Sequence, residues 1–119
     1  MIDDRSGILQ RVSDTLAERR EADPNSSYVA SLYAKGLDAI LKKVAEESAE
    51  VLMAAKDGDR LHIVWEVTDL WFHSLILMTH FGLSVDDILV ELRRREGISG
   101  IDEKRARMAD AVESTRSGE

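Results

Sequence analysis

The sequence predicts an all-α fold, a helical bundle. Three observations carry this. Among 119 residues there are one proline and seven glycines, and the glycines sit mostly at segment ends, so little in the chain breaks helices. Hydrophobic residues make up 44% and charged residues 33%, enough for a core and too apolar for disorder. Between the glycines, apolar residues recur at helical rather than alternating spacing. The length fits one domain, residues 1–119.

The first segment, about Asp4 to Glu21, places Ile8, Leu9, Val12 and Leu16 in a thin helical stripe, and Ala22-Asp23-Pro24-Asn25 breaks it. Ser26 and Ser27 are suited to cap a short helix from Tyr28 to about Lys35, which Gly36 ends. A third helix runs from Leu37 to about Lys56 with Leu37, Ile40, Leu41, Val44, Val51, Leu52 and Ala55 on its apolar face. Asp57-Gly58-Asp59 is a turn, and Asp59 is suited to cap the next helix.

The fourth helix, Arg60 to Phe81, is apolar nearly all round. A helix of that kind is buried, which assigns Trp65 and Trp71 to the core. One narrow polar stripe crosses it: His62, Glu66, Asp69, His73 and His80. His73, one turn after Asp69, reads as a core histidine bonded to that carboxylate. His62 and His80, near the helix ends, read as surface histidines. Gly82 ends this helix. Ser84 caps a fifth, with Ile88, Leu89 and Leu92 as its apolar face and Arg93-Arg94-Arg95 at its carbonyl end. The polar stretch 108–119 is expected to fray. The fourth helix needs partners on every side, so the bundle is expected to be completed by a second copy, as a two-fold homodimer.

The polar stripe carries the chemistry. Glu47 and Glu50 on the third helix, and Glu66 and Asp69 on the fourth, are each spaced i, i+3, so each pair projects from one side of its helix. With residues about 100° apart, Glu47 falls at the edge of the apolar face, Glu50 and Lys43 flank it, and Glu46 lies further out. Alone, Glu46, Glu47 and Glu50 read as a solvated face paired with Lys42 and Lys43. Beside an apolar helix, four carboxylates need compensation. A chain without cysteine offers a hard divalent cation, Mg2+ or Mn2+, an all-oxygen site. That points to a metal-dependent enzyme acting on phosphates.

Other classes fall away. A net charge of −7 argues against duplex DNA or an anionic membrane as partner. Glu66, Asp69 and His73 interrupt the one long apolar run, which argues against a membrane span. The start, Met1 to Arg5, lacks the basic and apolar pattern of a secretory signal, so a cytoplasmic protein is expected. Neither GxxxxGK[ST] nor GxGxxG occurs. No Ser-His-Asp constellation is legible, and the second acidic pair lacks the histidine of a di-iron Glu-x-x-His motif.

Glu46-Glu47-Ser48-Ala49-Glu50 followed by Glu66-Val67-Thr68-Asp69 resembles the EExxE…ExxD signature of the MazG-like all-α nucleotide pyrophosphatases. The surroundings narrow this. Ser27-Tyr28, Lys35-Gly36, Lys42 to Glu47, Asp69 to His73 and the Ser99-Gly100…Glu103-Lys104…Arg107 element resemble the phosphoribosyl-ATP pyrophosphatase family, from about Ser26 to Arg107. Ala45 stands where that family often has glycine, and the segment before Ser26 carries no part of the likeness. The resemblance implies a MazG-like bundle with a core at about 26–97 and a C-terminal element at 98–107. It implies Mg2+-dependent hydrolysis of phosphoribosyl-ATP to phosphoribosyl-AMP and pyrophosphate, the second step of histidine biosynthesis. It implies metal ligation by Glu47, Glu50, Glu66 and Asp69, catalytic roles for Glu46 and Glu47, and substrate contacts from Tyr28, Lys35, Lys43, His73, Ser99, Lys104 and Arg107. Two alternatives stand beside it: a house-cleaning nucleoside triphosphate pyrophosphatase, and a non-catalytic helical dimerisation module.

Overall fold

The structure is a computed structural model and describes residues 5–117, apart from the side chains of Ser6, Arg116 and Ser117. Residues 1–4, which make up most of the start that lacks a signal pattern, and the last two residues of the polar tail lie outside the described residues. Six α-helices follow one another: α1 (Ile8–Glu18), α2 (Tyr28–Lys35), α3 (Leu37–Asp57), α4 (Arg60–His80), α5 (Val85–Arg95) and α6 (Gly100–Ser117). Short 3-10 turns, Arg5–Gly7 and Arg19–Glu21, flank α1, and there is no strand among the described residues. The chain divides into two compact units, one ending at Asp86 and the other beginning at Asp87.

In the first unit, local chemistry sets the boundaries. The Ser27 hydroxyl accepts from the Ala30 N–H and starts α2. Asp59 accepts from the N–H groups of Leu61 and His62 and starts α4. Gly58, at φ +76°, supplies the left-handed residue that ends α3 two positions before α4 begins. Such a short link makes α3 and α4 antiparallel neighbours. α2 packs on α3, and α1 on α4. The core they enclose is Leu16, Ala30, Leu32, Ile40, Leu75, Ile76 and Val85. Three polar ties close it. The Ser13 hydroxyl accepts from the buried Val85 N–H at 3.2 Å. The Arg20 guanidinium donates to the Thr79 carbonyl and lies over the Tyr33 ring. The Tyr33 hydroxyl donates to the Leu16 carbonyl.

This core occupies one end of the α3–α4 hairpin, and the apolar residues toward the turn differ from expectation. Trp65 and Trp71, assigned to the core from sequence, are 58% and 57% exposed, in one stripe with Leu61 and Val64. On α3, Ile40 is buried as its place on the apolar face implies, but Leu41 and Leu52 are exposed, and Ala54, which that face does not include, is buried. The α1 and α2 helices are too short to cover the whole hairpin.

In the second unit, Gly97 at φ +77° ends the chain's turn after α5, and the Ser99 hydroxyl accepts from the Asp102 N–H to start α6. Glu103 is buried here. It is bonded to Arg94, lies 3.7 Å from Arg95 and lies 3.2 Å from Arg107. Helix α6 continues to Ser117, through the stretch expected to fray. Leu89 and Leu92, read as the buried face of α5, are exposed.

Candidate active site

Antiparallel packing of α3 on α4 turns two i, i+3 pairs toward each other. One carboxylate oxygen from each of Glu47, Glu66 and Asp69 lies within 4.8 Å of the other two. Glu50 joins them. A hydrogen bond with Glu66, and then the charge of Glu66, push its carboxyl above the usual glutamate range, against the opposing contributions of Glu47 and Lys43. Three of the four sequence-predicted ligands, Glu47, Glu66 and Asp69, therefore come together in one place. Glu47 is buried, Glu66 partly so, and Asp69 and Glu50 open to solvent, which gives the cluster a closed side and an entrance.

Two of these groups are short of partners. One oxygen of Glu47 and one of Glu66 are buried with no hydrogen bond in the protein. Buried, unpartnered carboxylate oxygens are costly. A hard cation taking both oxygens removes that cost, and an all-carboxylate donor set is what Mg2+ and Mn2+ prefer. The residues present fit such an ion.

The surrounding side chains fix the cluster. Lys43 lies 3.5 Å from Glu47 and 3.3 Å from Glu46. Burial works against the Lys43 charge, but its bond to Glu46 and the nearby acids outweigh burial and raise its pKa. Glu46 stands outside the cluster, held between Lys42 and Lys43. His62, read as a surface histidine, places its Nε2 3.1 Å from Glu66 and orients that carboxylate. The sequence holds a sign of this: His62 is one turn before Glu66 on the same stripe.

His73 is buried, as expected, but its partner differs. Its Nδ1 meets the backbone carbonyl of Asp69 at 2.8 Å, not the Asp69 carboxylate, because a helical side chain reaches the carbonyl one turn back. That bond makes Nδ1 the protonated nitrogen, so Nε2 accepts from the Tyr28 hydroxyl at 2.7 Å. Tyr28, from α2, is thus tied to α4. Its own pKa is raised, by burial first and then by Glu47, Glu46 and Asp69, with Lys43 opposing.

The other predicted substrate contacts lie outside α3 and α4. Lys35 is exposed in the last turn of α2. Ser99, Lys104 and Arg107 belong to the second unit, where Ser99 caps α6, Lys104 is exposed and Arg107 pairs with Glu103. The burial of Glu103 is not legible in sequence, since it depends on arginines contributed from α5.

Known proteins give the arrangement its place. The family model described as phosphoribosyl-ATP pyrophosphohydrolase matches residues 9–96, which extends the likeness through α1, beyond the motifs that begin at Ser26. The chain is 76% identical over 100 residues to a phosphoribosyl-ATP pyrophosphatase of Aromatoleum aromaticum, covering 84% of this chain and 93% of that one. It is 75% identical to one from Azoarcus sp. strain BH72, covering 84% and 94%. It is 62% identical over 104 residues to one from Chromobacterium violaceum, covering 87% and 96%. With a match spanning five of its six helices and relatives this similar, this chain belongs to the phosphoribosyl-ATP pyrophosphohydrolase family.

Proposed function

We propose that this chain hydrolyses phosphoribosyl-ATP to phosphoribosyl-AMP and pyrophosphate, the second step of histidine biosynthesis, with Mg2+ held by Glu47, Glu50, Glu66 and Asp69. The observation that carries the metal is the pair of buried, unpartnered oxygens on Glu47 and Glu66. The family membership carries the substrate.

The ion would offset triphosphate charge and lower the cost of charge building on the departing pyrophosphate. The chain's own groups do the rest. His62 and Lys43 hold Glu66 and Glu47 in place. Tyr28 and His73 form the wall beside Asp69. Glu46, exposed next to Lys43, is our assignment for the base. A water oxygen bonds to phosphorus, its proton passes to Glu46, the α–β anhydride P–O bond breaks and pyrophosphate leaves with that electron pair. Ser99, Lys104 and Arg107 remain substrate contacts by family likeness alone.

We also assign a homodimer. The α4 stripe Leu61, Val64, Trp65 and Trp71 is uncovered, and large apolar patches of this kind favour a partner. Light scattering that finds a stable folded monomer rejects it. A cytoplasmic enzyme accords with the absence, among the described residues, of any helix long and apolar enough to cross a membrane.

The deciding assay is pyrophosphate release from phosphoribosyl-ATP with Mg2+ and with EDTA, beside a panel of deoxynucleoside triphosphates. Preferential turnover of phosphoribosyl-ATP, lost in EDTA and in Glu47→Gln or Asp69→Asn, is expected. Preference for the panel moves the protein to a house-cleaning role. No release from any substrate leaves only a dimerisation module.

A further inference from the structure

We propose that Tyr28 contacts the sugar of the substrate, and does so as a hydrogen-bond acceptor: its phenolic oxygen takes a bond from a hydroxyl of the ribose that carries the triphosphate. This rests on the reaction assigned above and adds which end of the substrate lies at which end of the site.

The polarity follows from a chain of three groups. The Asp69 carbonyl can only accept, and it lies 2.8 Å from His73 Nδ1. The other group near Nδ1, a Glu47 oxygen at 4.0 Å, belongs to a carboxylate and is an acceptor too. The ring proton therefore sits on Nδ1, and Nε2 is left with a lone pair. The Tyr28 hydroxyl, 2.7 Å from Nε2, gives its one proton to that lone pair. His73 is buried, so bulk water does not compete for its nitrogens.

What remains on the Tyr28 oxygen is acceptor capacity alone. Giving its proton to a ring nitrogen also makes the oxygen a better acceptor. No other hydrogen bond to this hydroxyl occurs among the described residues, and Tyr28 is 51% exposed, so a ligand can reach it. Lys43, whose charge Tyr28 feels, is committed to Glu46 and Glu47.

An oxygen of this kind sorts the parts of a nucleotide. Ionised phosphate oxygens are acceptors, and pyrophosphate offers it nothing. A ribose hydroxyl is a donor. Along α4 the order Glu66, Asp69, His73 leads from the carboxylate cluster to the residue that holds Tyr28. With the phosphates at the cluster, the nucleoside therefore lies on the His73 side of Asp69, and pyrophosphate leaves on the Glu66 side. The ribose is the first group beyond the α-phosphate and the first to meet Tyr28. The exocyclic nitrogen of adenine, the other donor, lies further along.

The test is kcat/KM for pyrophosphate release by the full chain with Mg2+. The substrates are phosphoribosyl-ATP, its two deoxy counterparts lacking one or the other hydroxyl of the ATP ribose, and the counterpart with oxygen in place of the exocyclic adenine nitrogen. The wild type is expected to prefer phosphoribosyl-ATP over one of the deoxy counterparts by about five-fold, mainly through KM. Tyr28→Phe keeps the ring and removes only the oxygen, and is expected to bring those two values together. His73→Leu frees the phenol proton and is expected to lose the preference as well. His73→Gln restores an acceptor for that proton and is expected to recover it. A wild type without the preference, or a preference that persists in Tyr28→Phe or in His73→Leu, overturns the contact while pyrophosphate release leaves the reaction standing. A preference shown only against the oxygen counterpart, and lost in Tyr28→Phe, overturns it too, because the acceptor then meets the base. A wild type that releases no pyrophosphate from phosphoribosyl-ATP removes both the contact and the reaction.

Discussion

Replacing Asp69 by Asn separates what the site costs the apo fold from what it gains with metal. Carboxylate oxygens of Asp69, Glu47 and Glu66 lie within 4.8 Å of one another. Two unit charges at that distance repel by about 3 kcal/mol at an effective dielectric near 20. Asp69 is exposed, so water and salt reduce its share of both repulsions to about 1 kcal/mol. Asn keeps the shape and removes the charge. In EDTA the variant is therefore expected to melt above the wild type, by about 4 °C for a domain of this size. In Mg2+ the order reverses. At about 100 times its Kd, an ion that binds only the folded state stabilises the wild type by about 2.7 kcal/mol, and the variant, short of one ligand, gains little. Paired thermal melts at one fixed protein concentration read both effects. An Asn variant that is less stable in EDTA, or that shows the full Mg2+ shift, refutes the convergence of charges as the basis of the site.

Ser13→Ala leaves the buried Val85 N–H without its acceptor and is expected to cost about 1–3 kcal/mol. Urea unfolding checks it as a lower midpoint with an unchanged slope. Lys43→Met has the opposite sign to Asp69→Asn. It strips Glu47 of its nearest cation, so the apo protein is expected to lose about 1 kcal/mol while Mg2+ binds more tightly, as calorimetry and melts in EDTA will show. In the second unit, hydrogen bonds from Arg94 and then Arg95 hold the Glu91 carboxyl at about 2. Because the folded pKa is depressed, its contribution is present above the ordinary value of 4.5 and is lost as pH falls toward 2. Glu91→Gln is expected to flatten the acid loss of α5–α6 protection in that window, measured by hydrogen exchange.

Features that depend on near neighbours along the chain are legible in the amino-acid sequence. The Ser27 and Asp59 caps, the Gly58 turn and the i, i+3 acidic pairs all act within one or two helical turns. The meeting of Glu47, Glu66 and Asp69 is legible too, because a two-residue link leaves α3 and α4 little choice but to run antiparallel. What escapes the sequence is nonlocal or ambiguous. Apolar character says that Trp65 and Trp71 want cover, not which element supplies it, and the α1 and α2 helices of their own unit leave both exposed. The Asp69 carboxylate and the Asp69 carbonyl are both one turn from His73, so spacing does not choose between them. Composition suggests fraying beyond residue 107, but Ala, Arg, Glu and Met are strong helix formers and carry α6 on without an apolar face.

The distribution of charge explains how an acidic chain can work on an acidic substrate. Three carboxylates cluster beside one lysine, so under the proposed function the site without an ion would repel its own substrate. The orphaned oxygens of Glu47 and Glu66 carry a desolvation cost of about 1–3 kcal/mol each, a sizeable share of the roughly 5–15 kcal/mol that holds a domain of this kind together. Nothing in packing rewards that placement: Glu66 sits on the most apolar helix of the chain, where a leucine would bury better. A cation held between Glu47 and Glu66 would offset that cost. Glu47, Glu66 and Asp69 would hold a divalent ion there, and such an ion would supply the neutralising charge. Neutral isosteres at these positions should therefore give a fold that is sturdier without metal and inert with it.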